Sequence, residues 1–243
     1  MSAFPKSPYV PEKRLRLALI GGESSPFRAF LAGLGVETIV LPPIGTDDPA
    51  ENNHADLSVF HAGCGVFFCS EAAADTVRSL RPQAVHVVPV GAAYPEDCAL
   101  NLAFLGEDVF GAGEGSASLP WLFQQKKGVR RHSVRQGYAN CSVCPVGRKA
   151  MITDDPSIFA AAKAAGLDAL LIRKGDVRLP GHDYGFIGGA SAMIGPRELV
   201  FFGDISTHRD CEQMISFLAA HRCDYHDLPG VPLTDIGGIV PVK

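Results

Sequence analysis

With 243 residues, 47% of them hydrophobic and 20% charged, the chain has a globular composition that excludes collagen, coiled coil and extensive disorder. Its 22 Lys+Arg against 26 Asp+Glu give a formal charge of −4, so neither nucleic acid nor a membrane surface is an expected partner. No apolar run reaches the ~18–20 residues of a membrane span, and seven cysteines scattered through apolar segments suit the reduced thiols of a cytoplasm better than a disulfide framework.

Residues 1–14 lack the apolar stretch of a signal peptide and read as an exposed N-terminal arm, leaving 15–243 as a single domain. RLRLALIGG then reads as a strand, SPFRAFLAGLG as a helix and ETIVLPPI as a strand. From His54 the pattern becomes regular. HADLSVFHAG and VFFCS are strands, EAAADTVRSLRP is a helix and AVHVVPVG a further strand. The same plan returns in EDCALNLAFLG, DVFGAG, SLPWLFQQKKG and VRRHSVRQ, and again in YANCSVCPVG, KAMIT, DPSIFAAAKAAG and DALLIRKG. A fourth copy runs DYGFIGGASAMIG, ELVFFG, HRDCEQMISFLAAHR and DYHDLPG, and LTDIGGIVPVK ends the chain with one strand and no helix. Spacing supports the helices: Phe27, Phe30, Leu31 and Leu34 share a stripe, as do Ile158, Ala161, Ala162 and Ala165, and Cys211, Met214, Ile215 and Leu218. Asp155 before Pro156 is an N-cap pair, and Gly128 and Gly166 stand where C-terminal caps belong.

A polar residue opens each unit: His54, Asp97, Asn140 and Asp183 are spaced by 43 residues, with Asp235 next. The parts missing after Asp235 are those found before His54, so the fifth unit is split between the two ends of the chain. Pairing the last strand with the first would close a ring and leave no sheet edge open. The expected fold is therefore a five-bladed α/β propeller of ββαβ units about a pseudo-fivefold axis. The alternative is an open doubly wound α/β sheet, but about three strands per helix is too many for simple βαβ winding.

Unit openers arranged about an axis converge at one end of it, and polar groups buried there need partners or a ligand. The convergent set is His54, Asp56, Glu96, Asp97, Asn101, Asn140, Cys141, Asp183 and Asp235, with Cys144 close by. Rich in carboxylates, it favours a cationic, hydrogen-bonding ligand. It also holds a thiol and a proton carrier, the elements of nucleophilic catalysis. The equal spacing puts Asn140, not Cys141, in register with His54, so a regular strand would turn the thiol into the core, whereas a bulge or loop would return it to the pocket. Cys-x-x-Cys spacing also admits a metal or redox reading, but no second ligand pair accompanies Cys141 and Cys144, and neither metal nor cofactor is assigned.

Five such units, with this order of residues, resemble the penteins, the guanidine-group-modifying enzymes that include arginine deiminases, agmatine deiminases and dimethylarginine hydrolases. The His-x-Asp strand of that superfamily is similar to HADLSVFHAGCGVFFCS. Two units later, where the family places its nucleophilic cysteine, stands GYANCSVCPVG, and carboxylates follow in GHDYGFIGG and TDIGG. The family's cysteine lies near its C-terminus, so this chain resembles a circularly permuted branch. The resemblance implies a cysteine-dependent hydrolase or transferase, deiminase-like, acting on a guanidine or amidine, with Cys141 as nucleophile and His54 as acid and base. Asp56, Asp97, Asn140, Asp183 and Asp235 would hold the substrate, a small cationic guanidine-type ligand, and a homodimer is a candidate assembly. The alternative is a non-catalytic pentein-like ring that binds a small cationic metabolite or a protein partner.

Overall fold

The structure, a computed structural model, describes residues 4–22, 25–112 and 118–243. The first sheet contains β1 (Leu17–Gly21) and, after helix α1 (Ser25–Gly33), β2 (Glu37–Leu41). A single helical turn, α2 (Ala55–Ser58), leads into β3 (Val59–Gly63) and β4 (Val66–Cys69), followed by α3 (Ala74–Ser79) and β5 (Ala84–Val87). The next unit opens with a 3₁₀ turn, Glu96–Leu100, and holds β6 (Ala103–Leu105), β7 (Asp108–Ala112), α4 (Ser118–Gln125) and β8 (Arg130–Val134). Then come β9 (Val143–Gly147), β10 (Ala150–Thr153), α5 (Pro156–Ala164) and β11 (Asp168–Leu171). The last full unit is β12 (Ser191–Gly195), β13 (Glu198–Phe201), α6 (Cys211–Ala220) and β14 (Asp224–His226), after which β15 (Ile239–Pro241) ends the chain.

Among the described residues these strands make five three-stranded sheets. In the four consecutive units a tight antiparallel hairpin is followed by a helical crossover to a parallel third strand. A hairpin needs only a short turn, whereas a parallel neighbour needs a longer connection, which the helix supplies. The remaining sheet is assembled from both ends of the chain: β1 runs parallel to β2 and antiparallel to β15, with Leu19 opposite Val240.

Each apolar cluster of the core lies between two sheets. Leu19, Phe67 and Val240 join the terminal sheet to β3–β5; Phe60, Phe68 and Phe104 join β3–β5 to β6–β8. Leu105, Phe110 and Met151 continue to β9–β11, Ile152, Met193 and Phe201 to β12–β14, and Ala18, Ile194 and Phe202 return to β1. The mixed α/β architecture with small sheets follows from this arrangement: each short sheet has apolar residues on both faces and buries each face against a different neighbour.

Three expectations need correction. The polar openers do not start strands. His54 precedes α2, Asp97 lies in the 3₁₀ turn, Asn140 lies in a turn and Asp183 in an irregular loop. Short polar side chains bond to nearby backbone and so favour turns over ladders. The N-terminal arm is exposed only in part: Lys6, Glu12, Lys13 and Arg14 are exposed, but its middle is not. Tyr9 stacks on Phe60 at 5.9 Å, Phe4 meets Phe67 edge-on at 5.8 Å, and Pro8, Tyr9, Val10 and Pro11 are buried. Packing of these two aromatic rings, Tyr9 buried and Phe4 partly so, outweighs the polarity of the arm's other residues. On α6, Met214 and Leu218 enter the core but Ile215 is 36% exposed, so the buried stripe is narrower than its spacing suggests. The Asp155 cap is present, accepting bonds from Ser157 and Ile158 backbone N–H at 2.8 and 3.0 Å, an arrangement worth about 1 kcal/mol.

His61 on β3 bonds to the terminal strand. It is fully buried, its Nδ1 lies 2.7 Å from Pro241 O, and its Nε2 accepts from Gly65 N–H at 3.2 Å. An acceptor role for Nε2 fixes the proton on Nδ1, which donates to the carbonyl, and burial pulls the pKa down to about 3. The unfolded chain therefore binds a proton below about 6.5 that the folded chain refuses until about 3. Stability should fall with falling pH across that window, by about 2 kcal/mol from this group near pH 5. Urea unfolding of wild type and His61→Gln should show this acid sensitivity reduced in the variant.

Candidate active site

The turn ahead of β3 and the turn ahead of β9 face each other. Cys141 Sγ donates to Asp56 Oδ2 at 2.8 Å, and Asn140 Nδ2 donates to the same oxygen at 3.1 Å. Asn101, just after the 3₁₀ turn, holds the thiol from the other side. Its Nδ2 donates to Cys141 Sγ at 3.2 Å, while its Oδ1 accepts from the backbone N–H of Asn140 at 2.7 Å and of Cys141 at 3.2 Å. His54 Nε2 lies 3.9 Å from Asp235 Oδ1. Donor atoms of His54, Asp56 and Cys141 all fall within 4.8 Å of one another, and the three residues are buried. Imidazole, carboxylate and thiolate at that separation also suit a zinc ion.

Local chain geometry explains how the thiol arrives there. Ser142 N–H bonds to Tyr138 O at 3.1 Å and Val143 N–H to Asn140 O at 3.1 Å, so residues 138–142 form a turn and the ladder begins only at Val143. Strand alternation therefore does not apply at Cys141, and both it and Asn140 reach Asp56. Cys144, within β9, is fully buried against Ile152, Ile187 and Met193 and has no part in this cluster.

Asp235 is brought in by the segment leading to β15. Its Oδ2 accepts from Phe186 N–H at 2.8 Å and its Oδ1 from Gly237 N–H at 2.9 Å. Glycine is required on both sides. A Cβ at Gly189 would lie 1.8 Å from Asp235 Oδ1, and one at Gly237, where φ is +69°, would lie 2.5 Å from His54 Cα.

Two of the expected ligand-holding residues lie elsewhere. Asp97 is buried but turned to Tyr138, whose hydroxyl is 2.9 Å from Oδ2, and to Cys98, whose thiol donates to Oδ1 at 3.2 Å. Asp183 is exposed, because its loop carries it to the rim of a cavity of about 470 Å³. Asp47, Asp48, Glu51, Asp97, Tyr138 and Phe186 also line that cavity. None of His54, Asp56, Cys141 and Asp235 lines it, but two residues that do are bonded to the cluster: His54 N–H bonds to Glu51 O at 2.9 Å, and Phe186 supplies the N–H that binds Asp235.

Burial dominates the electrostatics. It raises Asp56 above the usual carboxylate range, opposed by the nearby His54 and by hydrogen bonds from Cys141 and Asn140. Among the described residues Asp56 Oδ1 has no hydrogen-bond partner. Burial also pushes the Cys141 thiol well up, and the charges of Asp56 and Asp235 push it further, with only Asn101 acting the other way. The resting sulfur is a protonated thiol.

Asp154 was not expected from the sequence. It is 3% exposed, accepts from Ile187 N–H at 3.2 Å through Oδ2, and has an unpartnered Oδ1 among the described residues. In TDDP the pair of acids before a proline reads as capping, which Asp155 alone performs. Burial raises Asp154 to about 7, so the folded chain holds a proton between 3.8 and 7 that the unfolded chain has lost. This group therefore costs stability progressively as pH rises through that window. Asp154→Asn should gain stability over wild type from about pH 4 to about pH 7, by about 4 kcal/mol at the plateau, in urea unfolding across pH.

Comparison with known proteins agrees with this architecture. A family model described as a family of unknown function (DUF6873) matches residues 20–240, and the chain belongs to that family. No curated protein matches it in sequence. Among solved structures it is similar to the inosamine-phosphate amidinotransferase of Streptomyces griseus, with a TM-score of 0.63 at 11% identity, covering 100% of this chain and 97% of that one. It is similar also to SxtG, an amidinotransferase of Microseira wollei in the saxitoxin biosynthetic pathway, with a TM-score of 0.55 at 11% identity, covering 93% and 92%. DDAH of Pseudomonas aeruginosa gives a TM-score of 0.52 at 11% identity, covering 88% and 92%. These neighbours are pentein superfamily members, and the fold of this chain is the pentein fold. No helix among the described residues is long and apolar enough to cross a membrane.

Proposed function

We propose that this protein is a cysteine-dependent hydrolase or transferase of a guanidine or amidine group, built as a closed ring of five units about a pseudo-fivefold axis. Ring closure is supported by the pairing of β1 with β15 and by core clusters that link each sheet to the next and the last to the first. The observation that carries the chemistry is the Cys141–Asp56 hydrogen bond at 2.8 Å, with the His54–Asp235 pair at 3.9 Å in the same buried cluster.

A guanidinium bound here donates N–H groups to Asp56 Oδ1 and Asp235, the paired geometry that a planar fork favours. Its positive charge offsets the acidic field that adds to burial in keeping Cys141 protonated, so the substrate itself lowers the thiol pKa. The thiol proton passes to Asp56 Oδ2, and Sγ attacks the central carbon while Asn101 Nδ2 supports the developing sulfur charge. His54 protonates the departing nitrogen as its C–N bond breaks, leaving a thiouronium on Cys141. An incoming water or amine then gives its proton to His54 and displaces the sulfur.

The buried thiol also fits a second reading, a ring that binds a cationic metabolite without turning it over. Alkylation separates the two. A haloacetamidine, whose amidinium copies the guanidinium, should label Cys141 at least about tenfold faster at pH 7 than the neutral haloacetamide of the same shape, because only the cation offsets the acidic field. Intact-protein mass spectrometry would show one adduct, absent in Cys141→Ala, and that variant should lose all guanidine turnover. Equal rates for both reagents, or turnover that survives the substitution, removes the catalytic reading.

A further inference from the structure

Short loops and turns deliver the residues of the reactive cluster, and the side chain of Tyr138 meets each of these segments or a residue bonded to it. Tyr138 itself starts the turn that carries Asn140 and Cys141, its carbonyl accepting from Ser142 N–H at 3.1 Å. Its hydroxyl lies 3.1 Å from Glu51 Oε2, and Glu51 O receives the backbone N–H of His54 at 2.9 Å. The same hydroxyl lies 2.9 Å from Oδ2 of Asp97, in the 3₁₀ turn that leads to Asn101. Its ring centre lies 6.1 Å from that of Phe186, whose N–H binds Asp235. The 3₁₀ turn and its end thus grip the nucleophile turn twice: Asp97 through the phenol, and Asn101 through the thiol and the N–H groups of Asn140 and Cys141. Close approach is built into the backbone as well. A Cβ on Gly137 would lie 2.5 Å from Tyr94 Cε2 and 3.0 Å from Cys98 Sγ, so a side chain there would force the two segments apart.

The hydroxyl meets two acids with one proton and can donate to only one of them. Asp97, 2% exposed, also accepts from the Cys98 thiol through Oδ1 at 3.2 Å, a donor that Glu51 lacks among the described residues. Asp97 is therefore the anion that receives the phenol proton. The contact to Glu51 then needs a hydrogen from the other side, a neutral carboxyl donating to the phenol oxygen. Burial raises Glu51 in that direction and the charges of Asp97 and Asp48 add to it, against the contact with Tyr138 and the nearby His54. Burial also keeps the phenol protonated. Glu51, Tyr138, Asp97 and Cys98 form one chain of donors that ends on Asp97 from both sides, and such a chain holds its members more firmly than separate pairs.

Resting on the proposal that Cys141 is the nucleophile, we infer that Tyr138 is a positioning residue of this site. It touches no reacting atom. Through its hydroxyl and ring it holds the turn at 138–142 in the orientation that brings Cys141 Sγ to Asp56 and Asn101. A small displacement of the turn moves Sγ off the line of attack on a bound guanidinium carbon, a fault that slows the chemical step without weakening binding.

The test reads the thiol directly, apart from any turnover. Tyr138→Phe keeps the ring beside Phe186 and removes only the hydroxyl. Iodoacetamide at pH 7 should then alkylate Cys141 at least about tenfold faster than in the wild type, since losing a hydrogen bond to a charged group shifts local opening by about that factor. Peptide mass spectrometry should find Cys144, further along in β9, as protected as before. Glu51→Gln, whose amide donates to the phenol as the neutral acid does, should keep Cys141 protected to within about threefold, whereas Glu51→Ala should not. With butylguanidine as the probe substrate, Tyr138→Phe should lower kcat by about tenfold or more and leave KM within about twofold. Labelling of Cys141 at the wild-type rate, exposure of Cys144 alongside it, or an unchanged kcat in an active enzyme overturns the inference. Selective release of Cys141 in a protein that turns over neither butylguanidine nor arginine sustains the positioning role and removes the catalytic reading instead.

Discussion

The segment from Asp235 to Pro241 is the constraint on which the rest depends. It supplies the strand that covers the free edge of β1, the carboxylate that faces His54, and the carbonyl that receives the His61 proton. These roles have different physical origins: main-chain pairing, a side-chain charge contact and a buried hydrogen bond. They are coupled because a few residues with little conformational freedom carry all of them. Gly237 and Gly238, both at positive φ, bend the chain sharply enough that Asp235 and Ile239 can serve neighbouring structures.

Much of the architecture was legible because short, apolar, evenly spaced segments leave few ways to bury both faces of a sheet. The repeat of 43 residues at His54, Asp97, Asn140 and Asp183 marked the units, though the markers belong to turns and not to strands. The trio His54, Asp56 and Cys141 was legible through order and spacing, but the register objection to Cys141 could be resolved only by the turn at 138–142. What the sequence concealed are contacts made across long separations. Tyr138 meets Asp97 across 41 residues and Glu51 across 87, and nothing local to any of them announces the cluster. Asp183 lies apart from the trio for the opposite reason: its position in the repeat fits, but its loop is longer and leads outward. Asp154 was hidden behind its neighbour, since the capping role of Asp155 accounted for both.

The cluster is electrostatically unfavourable at rest. Burial, reinforced by two carboxylates, holds the thiol protonated, and one oxygen of Asp56 has no donor among the described residues. Burying such groups without compensation costs free energy that a close-packed shell has to sustain. The shell here is made of glycine backbone and amide side chains: Gly189 against Asp235, Gly237 against His54, and Asn101 and Asn140 against the turn. This arrangement leaves no slack for the acids to swing away toward water.

The origin of the His54–Asp235 pair has a bearing on biosynthesis. The two residues lie far apart along the polypeptide, and β1, which leaves a ribosome long before β15, gains that partner only from residues 239–241. A translation product that stops short of Asp235 cannot hold the imidazole and its carboxylate together, and in it β1 keeps an unpaired edge. Synthesis of residues 235–241 is thus the step that brings His54 and its carboxylate together and closes the edge of β1.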